Sequence, residues 1–177
     1  MLMTKEQLTT DRAYVERLVR QYTGEVDHLA QGALRCVGHP GTYTVVSDEI
    51  VLIIVPFDKF GTYNFWHTAE KDARGSRAAA AVNRVFSWLF INTNAIMIRT
   101  SIDAANKPSV QGARWLWGAT VRRPTPDADH YVFKQTIANW AKVYGIEKAI
   151  SEMRAAGQAA KADKLEAAAM KARLLND

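Results

Sequence analysis

Residues 50–55 read Ile-Val-Leu-Ile-Ile-Val, without a polar side chain among them. A strand with one wet face alternates apolar and polar residues. An unbroken run of this kind therefore belongs to a strand covered on both sides. The run continues to Phe57 through Pro56, which is strand length and far short of the roughly 20 residues that cross a bilayer. A chain built around such a strand must supply layers for both of its faces. This one has the material: of its 177 residues 48% are hydrophobic and 23% charged. A domain of that size buries about 70% of the surface its unfolded chain exposes. It needs neither a disulfide nor a metal to hold it together.

The covering layers can be read on either side of the run. Thr10 is placed to cap a helix to about Tyr22, with Tyr14, Val15, Leu18 and Val19 along one side. After Gly24 a second helix, about Glu25–Cys36, points Val26, Leu29, Ala30 and Ala33 to the core. Gly38-His39-Pro40-Gly41 is turn chemistry. Strands then follow at 42–46, 50–55 and 62–68, joined by the polar turns Ser47-Asp48-Glu49 and Asp58-Lys59-Phe60-Gly61. This is an antiparallel meander. A long helix, Arg77–Asn92, repeats Val82, Val85, Phe86, Leu89 and Phe90 at helical spacing. A strand at 95–102 follows, then a helix opened by Pro108 and closed by Gly118. Short strands at 119–122 and 131–137 flank a loop at Pro124-Thr125-Pro126-Asp127. The remainder, 146–177, is rich in Ala, Lys and Glu and is divided by Gly157 into two helices. Leu165, Ala169 and Leu174 give the second only a thin apolar stripe. The reading divides the chain into a domain, 1–145, and a helical extension, 146–177, which is either solvated or docks on a protein partner.

Composition bounds the function. The net charge is +5, which favours anionic partners without forming a nucleic-acid-binding module. Cys36 is the single cysteine and reads as a small core residue of a reducing compartment. The four histidines, His28, His39, His67 and His130, show no metal-ligand spacing, so no metal is expected. The first 20 residues mix charges among apolar side chains and lack a signal-peptide core. The expected setting is soluble, with no membrane association.

Four local patterns carry a resemblance. The strand ending at Thr68 leads into Arg74-Gly75-Ser76-Arg77-Ala78. A helix with a Val-Phe-Ser-Trp-Leu-Phe face follows. The strand ending at Ile102 leads into Asn106-Lys107-Pro108-Ser109. Trp115-Leu116-Trp117-Gly118-Ala119 closes the next helix. In this order they resemble the GNAT N-acetyltransferase superfamily over about Thr10–Trp140. The resemblance implies an α/β fold, a mixed twisted sheet with helices on both faces, here with the C-terminal helical extension. It implies that strands 63–68 and 95–102 diverge to admit acetyl-CoA, and that an amine of a small molecule or protein attacks the thioester. Two positions depart from the family pattern. Aligned on Gly75, the pyrophosphate loop has Asp72 and Arg77 where the family has Gln or Arg and a small residue. Arg114 stands where a thiolate-protonating tyrosine is usual. The family also includes lone GNAT-like proteins of tailed phages. The alternative implied is a non-catalytic assembly part of a tailed-phage virion, in the head or head-tail region, placed in the virion rather than the cytoplasm of a bacterial host.

The site residues this implies are Arg74, Gly75, Ser76 and Arg77 for the cofactor phosphates, His67 also for the cofactor, Asn106 and Ser109 for its pantetheine or sulfur region, and Glu70 or Asp103 as general base, a role also open to Asp72 and His67. Each has a plainer reading. Ser76 is placed to cap the long helix, Asn106 to cap the Pro108 helix, and carboxylates at strand ends are usually solvated. Of the tryptophans, Trp88 reads as core. Trp115 and Trp117, two apart on a helix, cannot both face it, so one is left for a pocket or an interface.

Overall fold

A computed structural model of the chain describes residues 6–117, 120–124 and 129–174. The order is β1 (Gln7–Leu8), α1 (Arg12–Thr23), α2 (His28–Arg35), β2 (Tyr43–Val46), β3 (Ile50–Pro56), β4 (Thr62–Ala69), α3 (Ser76–Asn92), β5 (Met97–Asp103), α4 (Lys107–Trp117), β6 (Thr120–Pro124), β7 (Asp129–Thr136), α5 (Ile137–Tyr144), α6 (Ile146–Ala155) and α7 (Ala159–Leu174). The described strands form one sheet in the order β1-β2-β3-β4-β5-β7-β6. All neighbours are antiparallel except β4 and β5.

The apolar run occupies the position its composition demands. Ile50, Leu52 and Ile54 join one core cluster with Val82, Phe86, Leu89 and Phe90 of α3. Val51 and Ile53 join a second with Val15 and Val19 of α1 and Leu34 of α2. All five residues of 50–54 have no exposed area. The fold is the mixed α/β sheet with helices on both faces that the sequence implies.

Local differences have local causes. The first helix is capped by Asp11, whose Oδ1 accepts the Tyr14 N–H at 3.0 Å, not by Thr10. Asp27 does the same for α2, which therefore starts at His28; Leu29 then points outward, 60% exposed. The last strand ends at Thr136, because the Thr136 hydroxyl accepts the Asn139 N–H and starts α5, a helix the sequence reading passes over. β1 is also missed; it has only two residues, against the end of β2. The predicted loop lies, beyond Pro124, outside the described residues, as do Gly118, Ala119 and residues 175–177.

The C-terminal helices pack on the domain. Ala149, Ile150 and Met153 of α6 and Ala162 and Leu165 of α7 are buried in the same cluster as α3. The Lys161 ammonium donates to the carbonyls of Phe90 and Thr93 at the end of α3, where the helix dipole favours a cation. Trp140 of α5 stacks beside Phe90, with ring centroids 5.3 Å apart, and its indole N–H donates to the Ser87 hydroxyl at 3.0 Å. This bond is buried. Ser87→Ala leaves the indole N–H without a partner and should cost about 1–2 kcal/mol, read as a lowered denaturation midpoint with an unchanged slope. Trp88 is half-buried against the same cluster, edge-on to Tyr43 at 5.6 Å. The side chains of Trp115 and Trp117 lie outside those described.

Candidate acyl-transfer cleft

β4 is paired with β3 along its whole length, from Pro56↔Tyr63 to Ile50↔Ala69, and β5 with β7 from Met97↔Thr136 to Asp103↔His130. Between β4 and β5 the ladder covers only Thr62↔Met97, Tyr63↔Ile98 and Asn64↔Arg99. Above that the two strands separate. Each is held by its outer neighbour, so the separation leaves only the inner edges open. The root is tight: the Gly61 carbonyl accepts the N–H groups of Ile96 at 2.9 Å and Met97 at 3.3 Å. The Tyr63 hydroxyl donates to Asn94 Oδ1 at 2.6 Å, and burial pushes that phenol up to about 12. The last link is Thr100 Oγ1 donating to the Phe65 carbonyl at 3.2 Å. Since the Phe65 backbone faces β5, strand alternation turns the N–H and C=O of His67 and Ala69 the same way. Those are the free groups of the cleft wall.

His67 contributes its backbone to that edge. Its imidazole is open to solvent and stacks on Phe65 at 5.5 Å. Desolvation by the neighbouring protein lowers its pKa from the ordinary 6.5, an effect that the ring's exposure weakens.

The top of β4 runs through a 3-10 turn, Lys71–Ala73, into α3. Glu70 Oε2 accepts the N–H groups of Asp72 at 2.6 Å and Ala73 at 3.1 Å. One oxygen of its carboxylate is thus engaged by the turn, while Asp72 is exposed. Gly75 is the N-cap of α3, at φ 92° and ψ −130°. This conformation is essentially restricted to glycine. Ser76, expected to cap, is instead the first helical residue, and no side chain caps α3 or places an acid in its first turn. The first N–H to find its helical carbonyl is Ala79, on Gly75 O at 3.0 Å. A 17-residue helix thus presents its positive end beside the open strand edges. Arg74 reaches back to the Tyr22 carbonyl at 3.2 Å. Arg77 is exposed, held only by Glu49 at 3.8 Å, and does not plug the opening.

At the top of β5, Asp103 Oδ1 accepts the Ala105 N–H at 2.7 Å, and Asn106 Oδ1 accepts the Ser109 N–H at 3.3 Å. Asn106 is thus a helix cap, and both residues are exposed. The structure brings His67 and the Arg74–Arg77 loop to one end of the cleft and Asp103, Asn106 and Ser109 to the top of its other wall. Arg114, in the place where the resemblance puts a tyrosine, lies over the Tyr131 ring at 5.4 Å. Thus a phenol from β7 stands beside α4. Sequence spacing could not find it, because the register of β7 on β5 creates the pairing.

Two open pockets lie elsewhere: about 400 Å³ beside Lys59, Phe60 and Lys161, and about 210 Å³ between α1 and α2. The cleft is an open trough between strand edges, and its chemistry comes from unpaired peptide groups rather than enclosure. Among the described residues no group of His, Cys, Asp and Glu is arranged to hold a metal, and no helix is long and apolar enough to cross a membrane.

No family model matches the sequence, and no curated protein matches it significantly. Solved structures do match in fold. A point variant of the spermidine N-acetyltransferase SpeG from Vibrio cholerae superposes with a TM-score of 0.59 at 9% identity, covering 77% of this chain and 95% of that one. A second SpeG variant gives 0.60 at 9% identity, over 78% and 98%. A protein of T. thermophilus described as an acetyltransferase gives 0.54 at 19% identity, over 80% and 90%. At these identities the likeness is one of fold: this chain has the architecture of GNAT acetyltransferases.

Proposed function

We propose that the protein transfers an acetyl group from acetyl-CoA to an amine. The observation that carries this reading is the three-pair ladder of β4 on β5, opening beside a helix end that nothing caps. Two free strand edges suit the amide-bearing pantetheine arm, and the first turn of α3 suits the pyrophosphate. Arg74, Ser76 and Arg77 stand exposed at that turn, and the long 3.8 Å contact to Glu49 leaves Arg77 free to turn toward a phosphate. The bulk of Arg77 therefore does not fill the cradle, and its charge compensates for Asp72.

Acetyl-CoA would supply an activated thioester: its carbon–sulfur bond breaks as the carbon–nitrogen bond forms. The chain's residues hold and orient. The His67 and Ala69 backbone faces the arm. Asp103 and Glu70 each have one carboxylate oxygen engaged by backbone N–H groups, which leaves the other oxygen of either to take the amine proton, directly or through a water at the cleft mouth. Arg114 and Tyr131, paired beside α4, would supply a cation and a phenol to the departing thiolate in place of the missing helix tyrosine. The alternative of a non-catalytic assembly part rests on the departures at Asp72, Arg77 and Arg114; the parting of β4 from β5 after three pairs favours the enzyme.

Ser76→Glu separates binding from folding. A carboxylate in the first turn of α3 opposes a pyrophosphate there while suiting the helix dipole. Calorimetry should show acetyl-CoA binding to the parent protein and an affinity at least tenfold weaker in the variant, with a melting temperature equal or higher. Absence of binding in the parent protein removes the proposal.

A further inference from the structure

On the α3 side the cleft backs onto packed residues, among them Phe65 and Phe86, whose rings meet at 5.3 Å. The acyl-transfer reading therefore brings the acceptor to the root of the cleft from the opposite face. On that face Asn64 and Arg99 form the last pair of the β4–β5 ladder, and Lys134 lies directly across from Arg99 on β7. Two cations stand opposite each other in an antiparallel pair, which is unfavourable. No ion pair among the described residues relieves either. The Arg99 Nε is also buried without a hydrogen-bond partner, a loss for a charged donor. The guanidinium lies 4.3 Å over the Phe57 ring, which orients it, and Phe57 is itself 53% exposed. The acid next along this face of β5 is Asp103, four residues on, and its Oδ1 is engaged by Ala105.

A like-charged pair and a guanidinium whose Nε has no hydrogen-bond partner, both at the point where the strands part, are eased together by an anion beside that guanidinium. We infer that the acceptor amine carries an anionic group, a carboxylate or phosphate, held by Arg99 and Lys134 while its amine faces the thioester. The inference rests on the acyl-transfer reading and narrows it. The acceptor class carries an anionic group that the spermidine named for the SpeG structures lacks, and Arg99 and Lys134 are specificity-determining residues.

The test is acetylation of a panel with acetyl-CoA: free α-amino acids and glycylglycine for the carboxylate, phosphoethanolamine for the phosphate, and spermidine. At least one anionic amine should exceed spermidine about thirtyfold or more in kcat/KM, and the better arm identifies the anion. Arg99→Gln should raise KM for that amine about tenfold or more, with kcat and the acetyl-CoA Kd near the parent values; Lys134→Gln should act in the same direction. Both variants should melt at or above the parent temperature without ligand, since each removes a repulsion. A merely structural Arg99 would lower it. Preference for spermidine, an unmoved KM in Arg99→Gln, or acetyl-CoA binding without acetylation of any anionic amine overturns the inference. Failure of acetyl-CoA to bind instead removes acyl transfer; calorimetry with phosphoethanolamine on the parent and Arg99→Gln proteins then decides whether the anion site stands.

Discussion

Gly61→Ala should destabilise the protein by about 3 kcal/mol or more, among the larger effects a single methyl group produces. Two costs combine. Gly61 has φ +93°, outside the range that alanine adopts freely, and a Cβ there would stand 2.3 Å from the Asn94 carbonyl oxygen and 3.3 Å from its carbon. The obstacle is backbone, which no rotamer change can move. The Gly61 carbonyl also accepts Ile96 and Met97, so a shift to relieve the clash loosens the seam from which the three-pair ladder starts. Gly24→Ala is the control. Gly24 has a φ of +82° with nothing within 4 Å of the added carbon, so it meets the backbone strain alone, about 1 kcal/mol. Denaturant midpoints of the two variants isolate the clash. If Gly61→Ala lies within about 1 kcal/mol of Gly24→Ala, the root of the cleft is not closed by this contact. A second readout is acetyl-CoA affinity, which should fall in Gly61→Ala and hold in Gly24→Ala.

This sensitive position was visible in the sequence only as a turn glycine, which shows how far local chemistry reaches. The periodicities of 50–55 and of Val82–Phe90 depend on which faces are covered, and both place their elements correctly. Caps are less well determined where two capping residues adjoin: Thr10 and Asp11 compete for α1, Gly75 and Ser76 for α3, and the chain path decides. The Ala-rich segment hides its packing for another reason. Ala149, Ile150 and Met153 form a core face set in an alanine-rich stretch, and the partner residues that make it a core, such as Phe90, belong to α3. For α5, the signals Thr136 and Gly145 were present, but Ile137 was absorbed into the preceding β-branched run. The cleft itself was legible through its loop and its following helix. Its electrostatics were not, because Arg99 meets Lys134 only through strand register, and no sequence window contains both.

Arg84→Met should cost about 2–4 kcal/mol, a little under the full range for a broken buried pair because Arg84 is 34% exposed. From α3 the guanidinium reaches two carboxylates. Its Nε donates to Glu6 Oε1 at 2.7 Å, and a terminal nitrogen lies 2.6 Å from the same oxygen and 3.1 Å from Glu49 Oε2. The Glu6 side chain has no exposed area, and its Oε2 has no hydrogen-bond partner even with Arg84 present. Removing the cation therefore strands a buried carboxylate, which is the expensive direction. Glu6→Gln combined with Arg84→Met should recover part of the loss, and a double-mutant cycle measures the coupling. The same substitution should also be felt at the cleft. Glu49 shares itself between Arg84 and, at 3.8 Å, Arg77. Without Arg84 it can pair fully with Arg77 and hold that side chain away from a phosphate at the start of α3. Acetyl-CoA binding should weaken several-fold in Arg84→Met at temperatures where the variant remains folded, and Glu49→Gln in the same background should restore it. An affinity unchanged by Arg84→Met would separate the Glu6–Arg84–Glu49 network from the phosphate site and leave it a purely structural tie.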